Sequence, residues 1–202
     1  MAVRPTRLAG APPGPRQRDQ RLAALLDAAA ALFVEKGVTA TSIDDIAVRA
    51  NVAKGTFYHY FQDRAAMLEA LRKRFSQQFA DAAQAATGAC AEGDWPGRLD
   101  AWIGTVARQY VASYALHDAI FHDAAVCHRC VMSEEPAVRQ LAALLADGRA
   151  AGQWAVDEPL ATAVAIFHSL HGLVDEAIVT GTDTDAAAHH VARLSARMLR
   201  PA

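Results

Sequence analysis

Leu22, Leu25, Leu26, Ala29, Leu32 and Phe33 recur three and four apart, drawing an apolar stripe along a helix from about Asp19 to Lys36 that Gly37 stops. Ile43, Ile46, Ala47 and Ala50 keep the same spacing and predict a shorter amphipathic helix. Thr41 or Ser42 can cap it, with Asp44 or Asp45 three residues on to complete a capping box. Asn51 tolerates a left-handed backbone and can turn the chain into a second short helix, which leaves Phe57 and Phe61 for the core. Asp63 then caps a fourth helix to about Ala86, with Met67, Leu68, Leu71, Phe75 and Phe79 inward. At 1.5 Å per residue it is roughly 35 Å long.

The helical period continues to the end. Asp94 and Pro96 open a helix through Tyr114, with Leu99, Trp102, Ile103, Val106, Tyr110 and Tyr114 inward. The pattern breaks over His117 to Met132 and resumes from about Ser133 to Ala151 on Val138, Leu141, Leu144 and Leu145, before Gly152. Asp157 and Pro159 open another helix that ends near Gly181, with Leu160, Val164, Phe167, His168, His171 and Val174 inward. A last one, roughly Asp183 to Arg200, carries Val191, Leu194 and Met198. β-branched residues form no alternating runs, so the expected class is all-α. At 202 residues the chain suits one or two domains.

Charge sharpens this picture. Residues 1 to 80 hold twelve Lys/Arg against seven Asp/Glu, whereas 81 to 202 hold eight against fifteen and no lysine. A basic N-terminal portion on an acidic remainder suits a nucleic-acid reader with a separate body. Residues 1 to 18 are rich in Pro, Gly and Arg and read as a disordered basic arm, in which Arg4, Arg7, Arg16 and Arg18 can lie along phosphates. That stretch has no apolar core of a signal peptide, the apolar runs read as too short to cross a bilayer, and cytoplasm is the expected location. Three cysteines, Cys90, Cys127 and Cys130, make a disulfide framework improbable.

The two short helices and their tight turn make a helix-turn-helix, with Lys54, Gly55, Thr56, Tyr58, His59 and Tyr60 on the open face of the second. Lys36-Gly37, then Thr39-Ala-Thr-Ser-Ile, then Ala47-x-x-Ala50-Asn-Val-Ala-Lys-Gly-Thr-Phe-Tyr-His-Tyr-Phe61 and a basic residue at Arg64 resemble the tetracycline-repressor (TetR) family over about residues 18 to 75. The resemblance implies a homodimeric, all-helical, ligand-responsive transcription factor on a palindromic double-stranded DNA operator. It implies an N-terminal three-helix head (19–62) and a C-terminal ligand-binding and dimerisation body (63–202), with 63–86 as linker. Thr56 can reach a base edge or offer its methyl to thymine, Gly55 lets the backbone approach the groove, and Lys54 suits guanine or phosphate. Tyr58, His59, Tyr60 and Arg64 are placed on phosphates by the resemblance, and Ser42 and Asp44 on the flank of the site. Asp44 fits awkwardly, because phosphate repels a carboxylate. Ala53 departs from the serine frequent there in the family, and its loss as a cap weakens the helix start by about 1 kcal/mol.

In the body, Trp102, Tyr110, Tyr114, His117, Phe121, His122, Phe167, His168, His171 and Asp175 can wall a pocket for a small organic effector, apolar with a few polar handles. Plain core packing explains any one of them equally well. Cys127, His128 and Cys130 are minority candidates for metal ligands or a thiol switch, since no second Cys-x-x-Cys completes a four-ligand site. No cofactor is called for. The expected function is a DNA-binding regulator, a repressor released by a small molecule. An enzyme is the weaker reading, because the chain has no phosphate loop, nucleophile elbow or His-Glu-x-x-His. A third reading is a DNA binder that senses nothing. The small residues Ala161, Ala165, Gly172, Ala186 and Ala187 permit close packing of the last two helices, which the resemblance implies form a four-helix dimer seam.

Overall fold

The computed structural model describes residues 15–122 and 132–200, and every regular element within them is helical. The chain divides into two units between Leu68 and Glu69. One helix, α4 (Arg64–Gly88), runs unbroken across that division.

In the first unit, α1 spans Pro15–Lys36, α2 spans Ile43–Arg49 and α3 spans Lys54–Tyr60. α1 begins four residues before the expected Asp19, at a proline whose fixed φ suits a first turn. Arg16 and Arg18, expected in a disordered arm, therefore lie on a helix; Arg4 and Arg7 fall outside the described residues. Leu25, Ala29 and Phe33 of α1, Ile46 of α2 and Phe57 of α3 are fully buried. Gly37, at φ +82°, ends α1 where a side chain would be strained. Ser42, not Thr41, is the cap of α2: its hydroxyl accepts from the Asp45 amide, and Asp45 accepts from the Ser42 amide. Thr41 is buried, its hydroxyl donating to the Gly37 carbonyl at 2.8 Å. Asn51 takes the left-handed conformation, φ 53°, that the turn between α2 and α3 requires. α3 starts at Ala53 with no side-chain cap, as expected.

The second unit holds the rest of α4, then α5 (Trp95–Ala112), α6 (Tyr114–Phe121), α7 (Pro136–Ala150), α8 (Pro159–Thr180) and α9 (Thr184–Met198). Asp94 caps α5 and Asp183 caps α9, as their sequence positions predict. Leu99, Trp102, Ile103 and Val106 of α5 are fully buried with Val138, Leu141 and Leu145 of α7 and Val174 of α8. α7 and α9 each pack along α8, and α5 packs along α9. Gly148 of α7 lies so close to the Trp154 ring that a Cβ there would overlap it.

Four expectations need correcting. The helix drawn through Tyr114 breaks at Ser113, and the stretch from His117 to Phe121, expected to be irregular, is the helix α6. The helix expected from Ser133 starts at Pro136, after a single 3-10 turn at Met132–Glu134. On α8 the buried stripe is Ala163, Ile166, Leu170, Val174 and Ala177, while Leu160 is 43% exposed; on α9 Leu194 and Met198 are 46% and 54% exposed. Nearly every α8 position is apolar or small, so spacing alone picks out no unique inner face. For the same reason α8 is long and apolar enough to span a bilayer by composition, contrary to the sequence estimate. It also carries His168, His171, Asp175 and Glu176, and α7, α9 and α5 pack on it.

Candidate functional site

The open face of α3 is polar and ringed by aromatic groups. Lys54, Gly55, Tyr58 and His59 are exposed and Thr56 is half-buried; Ser42 and Asp44 are exposed at the start of α2. A Cβ built on Gly55 would meet no heavy atom within 4 Å, so the helix backbone is open to close approach. Two exposed ion pairs fix α2 against the end of α1: Lys36 Nζ to Asp45 at 2.7 Å, and Arg49, whose Nη1 donates to Glu35 Oε2 at 2.8 Å. The hydrogen bonds from Lys36 and Ser42 hold the Asp45 carboxyl well below its usual range.

Five of the expected DNA contacts, Ser42, Asp44, Lys54, Tyr60 and Arg64, have partners inside the head. Lys54 Nζ pairs with Asp44 at 2.9 Å, and that hydrogen bond raises the lysine pKa. Tyr60 donates its hydroxyl to the Arg18 carbonyl of α1 at 3.0 Å. Arg64 Nη1 donates to the Thr39 and Thr41 carbonyls at 3.0 and 2.8 Å, binding the start of α4 to the loop before α2. Tyr60 and Arg64 thus have structural tasks that the phosphate expectation did not include.

The second unit holds a half-open cavity of about 580 Å³. Of the ten residues expected to wall a pocket, eight line it: Tyr110 from α5, His117 and Phe121 from α6, His122 just beyond, and Phe167, His168, His171 and Asp175 from α8. Trp102 does not; it is fully buried in the core, its indole N–H donating to Gln140 Oε1 at 3.1 Å. Tyr114 also lies outside the lining, its ring edge-on to Tyr110 at 5.9 Å. Sequence reasoning missed Phe75, Ser76 and Phe79 of α4, and Met132, Glu135, Ala137 and Gly172. Phe75 and Phe79 were legible as inward residues; which inner space they faced was not.

The rings are tightly grouped. His171 is 4.2 Å from Phe167 and 4.5 Å from Tyr110, and His117 is 4.7 Å from Tyr110 and 4.9 Å from Phe121, centroid to centroid. Tyr110 donates to Asp175 Oδ1 at 2.6 Å; burial first, then this bond, push the phenol pKa up. Burial pushes His117 down to about 3 and also lowers His171, whose Nδ1 meets the Phe167 carbonyl at 3.1 Å. His117 Nδ1 is buried without a hydrogen-bond partner. Behind Phe121, outside the lining, Arg72 of α4 is 5% exposed. Its Nε donates to the Ile120 carbonyl at 2.7 Å and its guanidinium lies 5.5 Å from the Phe121 ring, while its Nη2 is buried without a partner. Among the described residues no group of three or more His, Cys, Asp or Glu is arranged to hold a metal ion. Cys127, His128 and Cys130 lie outside the described residues.

A capped helix, a left-handed turn and a second helix with an open polar face make a helix-turn-helix motif. Residues 25–71 match the family model described as "Bacterial regulatory proteins, tetR family". The Transposon Tn10 TetC protein of Escherichia coli is 48% identical over 50 residues, 25% of each chain. The HTH-type transcriptional repressor KstR2 of Rhodococcus jostii is 41% identical over 51 residues, again 25% of each. The chain thus matches about a quarter of the length of these curated relatives. Over nearly the whole chain the fold resembles the transcriptional regulator FadR of Bacillus subtilis, solved in complex with stearoyl-CoA. The TM-score is 0.72 at 19% identity, covering 88% of this chain and 99% of that one. The likeness to the TetR family in sequence is thus confined to the helix-turn-helix segment, while the likeness in fold extends over nearly the whole chain.

Proposed function

We propose that the protein is a transcriptional repressor that binds a palindromic operator as a homodimer and is released by a small molecule held in the second unit. One observation carries the reading: the exposed Lys54–His59 face of α3, set on α2 by the Ser42 capping box and the Asn51 turn, with open space over Gly55. Thr56 reads a base edge, and Lys54, Tyr58 and His59 supply groups for phosphate or base. Ser42 and Asp44 flank the site. Tyr60 and Arg64 serve mainly to seat the motif.

Leu160, Leu173 and Val179 of α8 and Leu194 and Met198 of α9 are large apolar side chains left exposed on one chain. A second copy covering them would bury the seam of a two-fold dimer, the symmetry a palindrome needs. The cavity is of effector size, and α4 carries both Phe75 and Phe79 on its wall and Arg64 at its head end. A ligand that favours the released state by about 1–3 kcal/mol lowers operator affinity 5–150-fold. The proposed function calls for no enzymatic step, and a cytoplasmic location follows from it.

Selection from random duplexes tests the proposal. Enrichment of a symmetric site with half-sites about one helical turn apart, or a small multiple of it, is the expected result. A purified chain that stays monomeric and enriches nothing at moderate salt would defeat it.

A further inference from the structure

The charge on the cavity wall is one-sided. Two carboxylates, Asp175 and Glu135, line the space, and among the described residues no lysine or arginine does. Four imidazoles share the lining, those of His117, His122, His168 and His171, and burial disfavours the charged form of His117 and His171. Arg72 sits behind the Phe121 ring and outside the lining, with its Nε committed to the Ile120 carbonyl. Asp175 is fixed by the Tyr110 hydroxyl on Oδ1, which leaves its second oxygen without a bond from that group. The rings of Tyr110, Phe167 and Phe75 line the same space.

Each ligand charge class meets this wall differently. A carboxylate or phosphate would lose its water beside two like charges and find no lysine or arginine in the described lining. A neutral apolar molecule would fill the space but leave Asp175 unused. A hydrophobic cation finds the carboxylate it needs and the electron-rich ring faces that attract positive charge.

We infer that the cavity takes a hydrophobic organic cation, an aromatic or alkyl ammonium or its phosphonium analogue, with its charge against Asp175 and its apolar groups among the rings. The inference rests on the reading of the cavity as an effector site and sets its ligand apart from an acyl-CoA, the anion that the B. subtilis FadR structure holds.

Tetraphenylphosphonium and tetraphenylborate share one shape and differ in the sign of their charge. Each is titrated against the full chain by calorimetry, with uncharged triphenylphosphine oxide as third probe. The expected result is phosphonium bound at least roughly tenfold tighter than borate, with the oxide between them. Asp175→Asn, which keeps an oxygen to accept from Tyr110, should weaken the phosphonium roughly tenfold and leave the oxide unchanged. Glu135→Gln, away from the Tyr110 bond, should shift the preference in the same direction if Asp175→Asn does not fold. Borate bound as tightly as phosphonium, or a preference unchanged in the soluble carboxylate variants, overturns the inference while leaving the cavity a ligand site. Failure of all three probes overturns both the inference and the effector-site reading. Operator binding is not part of the readout, so the DNA-binding reading is judged separately.

Discussion

Lys54 stands on the open face of α3, proposed to meet DNA, with Asp44 already attached to it. A phosphate approaching the lysine must displace that carboxylate or sit against it, so the pair lowers affinity for DNA of any sequence. Asp44→Asn is expected to raise affinity for an unrelated duplex several-fold and to steepen the slope of log K against log salt by up to about one. Anisotropy titrations across a salt series measure both, and an unchanged slope would mean that the pair does not engage the same phosphate. His117 gives a pH prediction with a definite sign. Its pKa is near 3 in the folded chain against 6.5 as a free group, so between those values the unfolded chain holds a proton the native one lacks. Stability should therefore fall as pH drops from 6.5 towards 3, by up to about 1 kcal/mol per pH unit, and urea midpoints at pH 7, 6 and 5 check it. At this scale the sequence was most legible where chemistry is local. The Ser42 box, the Asn51 turn and the uncapped Ala53 need only neighbours within three residues. The tasks of Tyr60 and Arg64 depend on partners 42 and 25 residues away, which no local pattern encodes.

At the scale of elements, every helix but α6 followed from periodicity, whereas inner faces followed only where polar residues marked the outer one. α5 shows the first case, with Leu99, Trp102, Ile103, Val106 and Tyr110 all buried as expected. α8 and α9 show the second, because small and apolar residues surround both stripes and the exposed Leu194 looks no different in sequence from a core leucine. Of the candidate cavity, the eight lining residues were found from composition on α5, α6 and α8, and the α4 wall was missed because its phenylalanines had already been assigned to the core. Close packing of α7 on Trp154 was also invisible, since a glycine within a helix reads as a weakness rather than a contact. Gly148→Ala improves helix propensity by up to about 1 kcal/mol but drives a methyl into the indole, an overpacking cost of about 1–3 kcal/mol. A net loss is expected, seen as a lower Tm; a higher Tm would show that Trp154 can move aside.

For the whole molecule, the exposed apolar residues of α8 and α9 make association the expected state. Val179 of α8 is 76% exposed and Leu194 of α9 is 46% exposed. The double substitution Val179→Glu and Leu194→Glu should leave helix content intact, halve the mass seen in sedimentation and weaken binding to a two-half-site duplex far more than to a single half-site. A wild-type chain already monomeric at micromolar concentration would refute this. The asymmetry of charge between the basic first 80 residues and the acidic remainder belongs to this scale too, since it assigns nucleic acid to one end of the sequence and leaves the other end for different partners.

Arg72 places a buried guanidinium with one unmet N–H beneath the final turn of α6, its Nη1 3.8 Å from the exposed Glu69 carboxylate, and a methionine there would remove the cost of dehydrating that charge. Arg72→Met should accordingly melt no lower than the parent chain, and yet amide exchange at His122, bonded to the Asp118 carbonyl, should quicken as the helix end frays. Thermal resistance and local order would then separate in a single variant, the mark of a charge retained for the position it enforces rather than for the stability it confers.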